Sequence, residues 1–115
     1  EIHSEDFIVA PAIGKAIVEE KQKGKKIVAV GTTAARVLET VAQTKKIKGR
    51  TDIFIYPGYQ FRLTDVLITN FHLPFSTLLM LVYAFGGEAL MKRAYQEAVK
   101  EKYRFFSYGD GMIIL

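Results

Sequence analysis

Asp65-Val66-Leu67-Ile68-Thr69-Asn70-Phe71-His72-Leu73-Pro74-Phe75-Ser76-Thr77-Leu78-Leu79-Met80 is the stretch on which the fold turns. Its first five residues form a β-branched, apolar run, too short for a helix and suited to a buried strand. From Leu78 to Phe85 the chain is apolar nearly all round, as a helix enclosed in a core would be. Asn70, His72, Ser76 and Thr77 lie between, and Pro74 can open the helix without losing a needed donor. Polar groups at the carboxyl end of a strand, facing the amino end of a helix, occupy the ligand position of an open α/β sheet. The same residues also suit a plainer role, with Ser76 or Thr77 capping the helix and His72 satisfied in a turn.

Outward from this stretch, strands and helices alternate. Ile2 to Val9 is strand-like, and Pro11 opens a helix running to about Lys23, with Ile13, Ala16, Ile17 and Glu20 at helical spacing. Gly24 stops it, and Lys26-Ile27-Val28-Ala29-Val30 is the clearest strand in the chain. Gly31-Thr32-Thr33 turns that strand into a second helix, whose expected buried stripe is Val37, Leu38, Val41 and Ala42, with Arg36 and Glu39 elsewhere. Gly49 to Asp52 reads as a turn, Ile53 to Tyr56 as a strand, and Pro57-Gly58 as a breaker. Gly86-Gly87 separates the apolar helix from an amphipathic one, Glu88 to about Tyr103, and Met112 to Leu115 closes as a strand. This alternation predicts an α/β fold with a mostly parallel sheet. No repeat or linker interrupts it.

With 115 residues, half of them hydrophobic and 24% charged, the chain is a single domain or part of one and is not disordered. It has no cysteine and only two histidines, which excludes disulfides and thiolate metal sites. The longest apolar run is far shorter than the roughly 20 residues of a membrane span, and the acidic start Glu1-Ile2-His3-Ser4-Glu5 does not read as a signal peptide. The expectation is a cytoplasmic protein with no membrane partner, and the opening without Met points to a trimmed piece. The net charge is +4, with basic residues concentrated in Lys21–Lys26 and Lys45–Arg50. Both clusters follow expected helix ends, where lysines complement the helix dipole. They also suit a polyanionic partner such as RNA.

Two groupings bear on chemistry. The strand-Gly31-Thr32-Thr33-helix unit gathers backbone amides, two hydroxyls and a positive helix end around one point, which suits an anionic or hydroxyl-rich ligand. It is neither a Walker loop nor a dinucleotide turn, and threonine at a helix start is also ordinary capping. Carboxylates near element ends, Glu5 beside His3 and Asp110 within Ser107-Tyr108-Gly109-Asp110-Gly111, could join a histidine in acid-base work, although Asp between glycines equally serves a turn.

Four blocks carry a resemblance: Val30-Gly31-Thr32-Thr33-x-x-Arg36-x-Leu38-Glu39, Phe54-Ile55-Tyr56-Pro57-Gly58-Tyr59-x-Phe61, Ile68 through Val82, and Tyr103 through Asp110. In order, and together with His3-Ser4-Glu5, they closely resemble the S-adenosylmethionine:tRNA ribosyltransferase-isomerase family of queuosine biosynthesis. They correspond to the carboxyl-terminal part of that family's longer enzymes, so residues 1–115 are expected to be the carboxyl-terminal part of an α/β catalytic domain. Phe75 stands where the family usually has Lys, Ala34-Ala35 replaces a Ser-Val type pair, Val37 replaces Thr, and Gly111 replaces Ala.

The resemblance implies transfer of the ribosyl group of S-adenosylmethionine, a co-substrate rather than a resident cofactor, to an aminomethyl-deazaguanine at the tRNA wobble position. Isomerisation to epoxyqueuosine would follow, with adenine and methionine released. It implies acid-base candidates in His72, Asp110, Glu5 and His3, and no metal. Gly31, Thr32, Thr33 and Asn70 would bind ribose hydroxyls or the methionyl carboxylate. Arg36 would pair with that carboxylate, and Tyr108 or Phe106 would stack on a base or flank the sulfonium. The partners implied are S-adenosylmethionine and precursor tRNA, and residues 1–115 alone are expected to be inactive and to self-associate. A non-catalytic nucleotide- or RNA-binding α/β module is the alternative. It would need only the Gly31-Thr32-Thr33 turn and the basic clusters.

Overall fold

Val28–Val30 (β2) and Val66–Asn70 (β4) run parallel, with Val30 level with Ile68. The structure, a computed structural model, describes residues 4–74, 76–106 and 109–115. The other elements are Glu5–Ile8 (β1), Pro11–Gln22 (α1), Thr32–Thr44 (α2), Lys48–Thr51 (β3), Thr77–Gly86 (α3), Glu88–Lys100 (α4) and Gly111–Ile114 (β5). β4 is flanked by β2 on one side and by antiparallel β5 on the other, while β1 and β3 form a separate antiparallel pair.

The fold is therefore α/β, but the mostly parallel sheet expected from the alternation is not what forms. Among the described strands only β2 and β4 pair in parallel. Two local misreadings explain the difference. Lys48–Thr51, read as part of a turn, is a strand whose Thr51 is buried and pairs with Glu5. Ile53 to Tyr56, read as a strand, keeps the in-out alternation, with Ile55 buried and Tyr56 exposed, yet joins no ladder. Its Ile53 carbonyl accepts instead from the Arg36 side chain.

One face of the three-stranded sheet is covered by helices. Ala29, Leu67 and Ile114 pack with Ala35 of α2, Leu79, Leu81 and Val82 of α3, and Met91, Tyr95 and Ala98 of α4. Ser76 caps α3, its Oγ accepting from the Leu79 amide at 3.1 Å, so that helix begins after Pro74 rather than at it. Gly87 ends α3 and starts α4 at φ +89°, a conformation open to glycine. On the opposite face the cross-strand row Val30–Ile68–Ile113 lies open, with Val30 and Ile113 both well exposed. α1 buries none of its side chains completely.

α2 corrects the expected stripe. Its buried positions include Ala35, Arg36, Glu39, Thr40 and Ala42, while Val37, Leu38 and Val41 are only half-buried. Arg36 and Glu39 can face inward because each finds polar partners there, which removes the usual penalty of burying charge. Glu39 is fully buried and accepts from the Tyr59 hydroxyl, the amides of Arg62, Leu63 and Thr64, and the Thr64 hydroxyl, at 2.7–3.1 Å. This carboxylate pins an irregular loop to α2.

Candidate active site

Parallel strands deliver their following loops to the same edge of a sheet. β2 ends at Gly31, whose amide donates to Ile68 O at 2.7 Å, so the turn into α2 lies beside the end of β4. Gly31 adopts φ +97°, and an added Cβ would meet nothing within 4 Å; the backbone conformation, not space, favours glycine there. As the N-cap of α2 it offers no side chain to the helix's first amides. A helix start of this kind attracts anions.

Gly31, Thr32, Thr33, Thr69, Asn70, His72, Leu78 and Phe106 line one cleft of about 350 Å³. His72 is held on two sides. Its amide donates to the Tyr95 hydroxyl at 3.0 Å, and its Nε2 lies 2.9 Å from Thr69 Oγ1. Burial holds its pKa below the ordinary histidine value, favouring the neutral ring. The Thr69 hydroxyl can donate to Nε2 or accept from it, so this contact serves either neutral tautomer. Phe106 sits at the rim with φ +72°, held by its amide donating to Phe71 O at 3.1 Å. A non-glycine residue kept in that region costs about 1–3 kcal/mol, and such strain concentrates at functional sites.

The structure thus brings Gly31, Thr32, Thr33, Asn70 and His72 together. Glu5 joins from behind: its Oε1 accepts from Thr33 Oγ1 at 3.4 Å and its Oε2 lies 3.3 Å from the buried Arg36 guanidinium. Arg36 therefore acts through Glu5 and the Ile53 carbonyl, bracing the turn. Asp110 reaches the site through its backbone, where its carbonyl accepts from Asn70 Nδ2 at 3.4 Å. Its carboxylate instead accepts from the Arg104 amide at 2.7 Å, closing the turn before β5. His3, Tyr108 and Phe75 lie outside the described residues. Thr69 was not singled out from sequence, although its place three residues before His72 at a strand end was the available signal. Among the described residues no group of three or more His, Asp or Glu side chains could hold a metal ion, and no helix is long and apolar enough to cross a membrane.

Basic residues are divided in their use. Lys21 Nζ meets Asp65 Oδ1 at 2.8 Å, and Lys23 and Lys25 both pair with Glu20. In the second cluster Arg50 pairs with Asp6 at 3.1 Å, while Lys45, Lys46 and Lys48 are exposed.

A family model described as queuosine biosynthesis protein matches residues 1–114. The chain is 57% identical over 118 residues to an S-adenosylmethionine:tRNA ribosyltransferase-isomerase of Halothermothrix orenii, covering 99% of this chain and 35% of that protein. The corresponding protein of Thermotoga maritima is 51% identical over 117 residues, with the same shares. A crystal structure of an S-adenosylmethionine tRNA ribosyltransferase from Thermotoga maritima superposes with a TM-score of 0.83 at 52% identity, over 90% of this chain and 38% of that one. The chain spans about a third of the length of these relatives.

Proposed function

The chain belongs to the queuosine biosynthesis protein family, and from that premise we propose that it is the carboxyl-terminal part of the catalytic domain of an S-adenosylmethionine-dependent tRNA ribosyltransferase-isomerase acting in the cytoplasm. In the whole protein it would transfer and isomerise the ribosyl group of S-adenosylmethionine onto the aminomethyl-deazaguanine base of tRNA. The observation that carries this reading is the meeting of the Gly31–Thr33 turn with Asn70 and His72 in one cleft.

The sulfonium acidifies the adjacent ribose carbon, so a neutral base nearby can take that proton. His72, kept neutral by burial and oriented through Thr69 and Tyr95, fills that role. The amino end of α2 and the hydroxyls of Thr32 and Thr33 receive the methionyl carboxylate or ribose hydroxyls, and Asn70 supplies an amide for the same groups. Phe106 offers a ring to the sulfonium or the adenine. Glu5 and Arg36 are positioning residues that brace Thr33.

The test is single-turnover transfer by the full-length enzyme carrying His72→Gln. Transfer should slow by about 10²–10⁴-fold, the scale of a lost acid-base group, with S-adenosylmethionine affinity within a few-fold of wild type. An unchanged rate with both substrates saturating would show that His72 is a turn residue and that the base lies elsewhere.

A further inference from the structure

Residues 52–65, between β3 and β4, form neither helix nor regular ladder, yet the buried Glu39 carboxylate holds the second half of this loop by four hydrogen-bonded residues. Gln43 Nε2 adds a bond to the Tyr59 hydroxyl at 3.2 Å. Behind them Tyr59, Phe61 and Phe85 stack edge to face into the core, with ring centroids 5.0 and 4.9 Å apart. On this fixed base the loop presents Phe54 and Tyr56 outward, 39% and 56% exposed, with ring centroids 5.2 Å apart. Together with Gln43, Pro57 and Tyr59 they wall an open concavity of about 490 Å³.

That concavity and the candidate active site have walls in common with one small void between them. Phe54 and Ile53 also border a small void shared with Thr77 and Leu78, and Leu78 is itself a wall of the His72 cleft. Lys45, Lys46 and Lys48 are exposed on the segment that leads from Gln43, a wall of the concavity, to Ile53 on its other side.

We propose that the Phe54–Tyr56 concavity is a stacking site for an unpaired RNA base, one that neighbours the base whose modification the His72 cleft performs. This rests on the reading given under Proposed function and extends it to the RNA loop. Aromatic faces beside cations bind single-stranded RNA, since every base has a face to stack while phosphates follow the positive charge. The loop is held in advance by Glu39, so little ordering is required on binding. Gln43, bonded through its amide nitrogen, keeps its carbonyl for a base edge.

The experiment uses the full-length enzyme and substrate tRNA carrying 2-aminopurine next to the target base. Stacking should quench the probe on binding. The double variant Phe54→Ala/Tyr56→Ala should abolish the quench and weaken tRNA affinity about tenfold or more, the scale of one to two stacked bases. S-adenosylmethionine affinity and the salt dependence of tRNA binding should stay as in wild type, and Tyr56→Trp should keep the quench. Unchanged quench and affinity in the double variant, with wild-type transfer intact, would overturn the stacking site alone. A double variant that loses thermal stability and S-adenosylmethionine binding together would also overturn it, by showing that the rings pack against another part of the same protein. A wild-type enzyme that binds tRNA and quenches the probe but transfers nothing would refute the proposed reaction and leave the stacking site standing. One that binds no tRNA would overturn both.

Discussion

Thr69 Oγ1 lies 2.9 Å from Nε2 of His72, and both residues line the same cleft. A buried hydroxyl at one ring nitrogen fixes the ring plane and can serve either tautomer, donating to a bare nitrogen or accepting from a protonated one. In the full-length enzyme Thr69→Val should lower the transfer rate about tenfold, the scale of one hydrogen bond, while Thr69→Ser keeps it. The ¹⁵N shifts of His72 should change in the valine variant only. Because burial lowers the His72 pKa, the acid limb of the pH–rate profile should fall below the ordinary value of 6.5. Wild-type shifts in Thr69→Val would remove Thr69 from the site.

Glu39 should be among the most sensitive positions for folding. Glu39→Ala leaves the Arg62, Leu63 and Thr64 amides without their acceptor, at about 1–3 kcal/mol for each group that stays buried and unsatisfied. Glu39→Gln should be destabilising too, since an amide NH₂ would face backbone donors. Burial, and then the Glu39 hydrogen bond, push the Tyr59 pKa up to about 12. The folded state thus disfavours the phenolate, and the resulting stability is complete below pH 10 and lost as pH rises towards 12. Denaturant melts across that range should show a steeper alkaline loss in wild type than in Tyr59→Phe.

Asp65 gives the acid-side counterpart. Burial alone would raise its pKa, but the Lys21 hydrogen bond, the Ile27 amide and the charges of Lys21 and Lys26 outweigh it and hold the carboxyl below 3.8. A depressed folded pKa means stability present above the unfolded value and lost as pH falls through the folded one. Asp65→Asn should therefore be less stable than wild type at pH 7, with the difference shrinking below about pH 4. A constant difference from pH 7 to pH 3 would contradict this.

The exposed lysines should act on RNA through salt. Neutralising Lys45, Lys46 and Lys48 in the full-length enzyme should weaken tRNA binding and flatten its dependence on log salt by about 0.7–0.9 for each phosphate no longer neutralised. Arg50, already paired with Asp6, should contribute less. An unchanged slope would leave the segment as a solvated helix end.

Residues 1–115 on their own should self-associate. The open row Val30–Ile68–Ile113 joins exposed Val28 in one apolar sheet face. Light scattering should show species larger than 13.0 kDa, and Val30→Lys with Ile113→Lys should restore the monomer. A wild-type monomer at high concentration would contradict the expectation.

Much of the order of elements was written into local sequence. Pro11 at the start of α1, Ser76 before α3 and the Gly86-Gly87 break act over one or two turns of chain, so their effects are readable without knowing what lies across the fold. The same holds for the runs Lys26–Val30 and Asp65–Thr69, whose branched apolar side chains suit a strand. What tertiary structure decided was which polar groups find partners. Arg36 and Glu39 read as lying off the buried stripe because a charge is buried only at a cost, and nothing near them in sequence offsets it; Glu5, Ile53 and the Arg62–Thr64 amides do so from distant parts of the chain. Likewise the hydroxyl-rich turn after β2 and His72 after β4 lie far apart in the chain. They share a cleft only because two parallel strands end at the same edge of a sheet, a relation set by hydrogen bonds between segments and not by either segment alone.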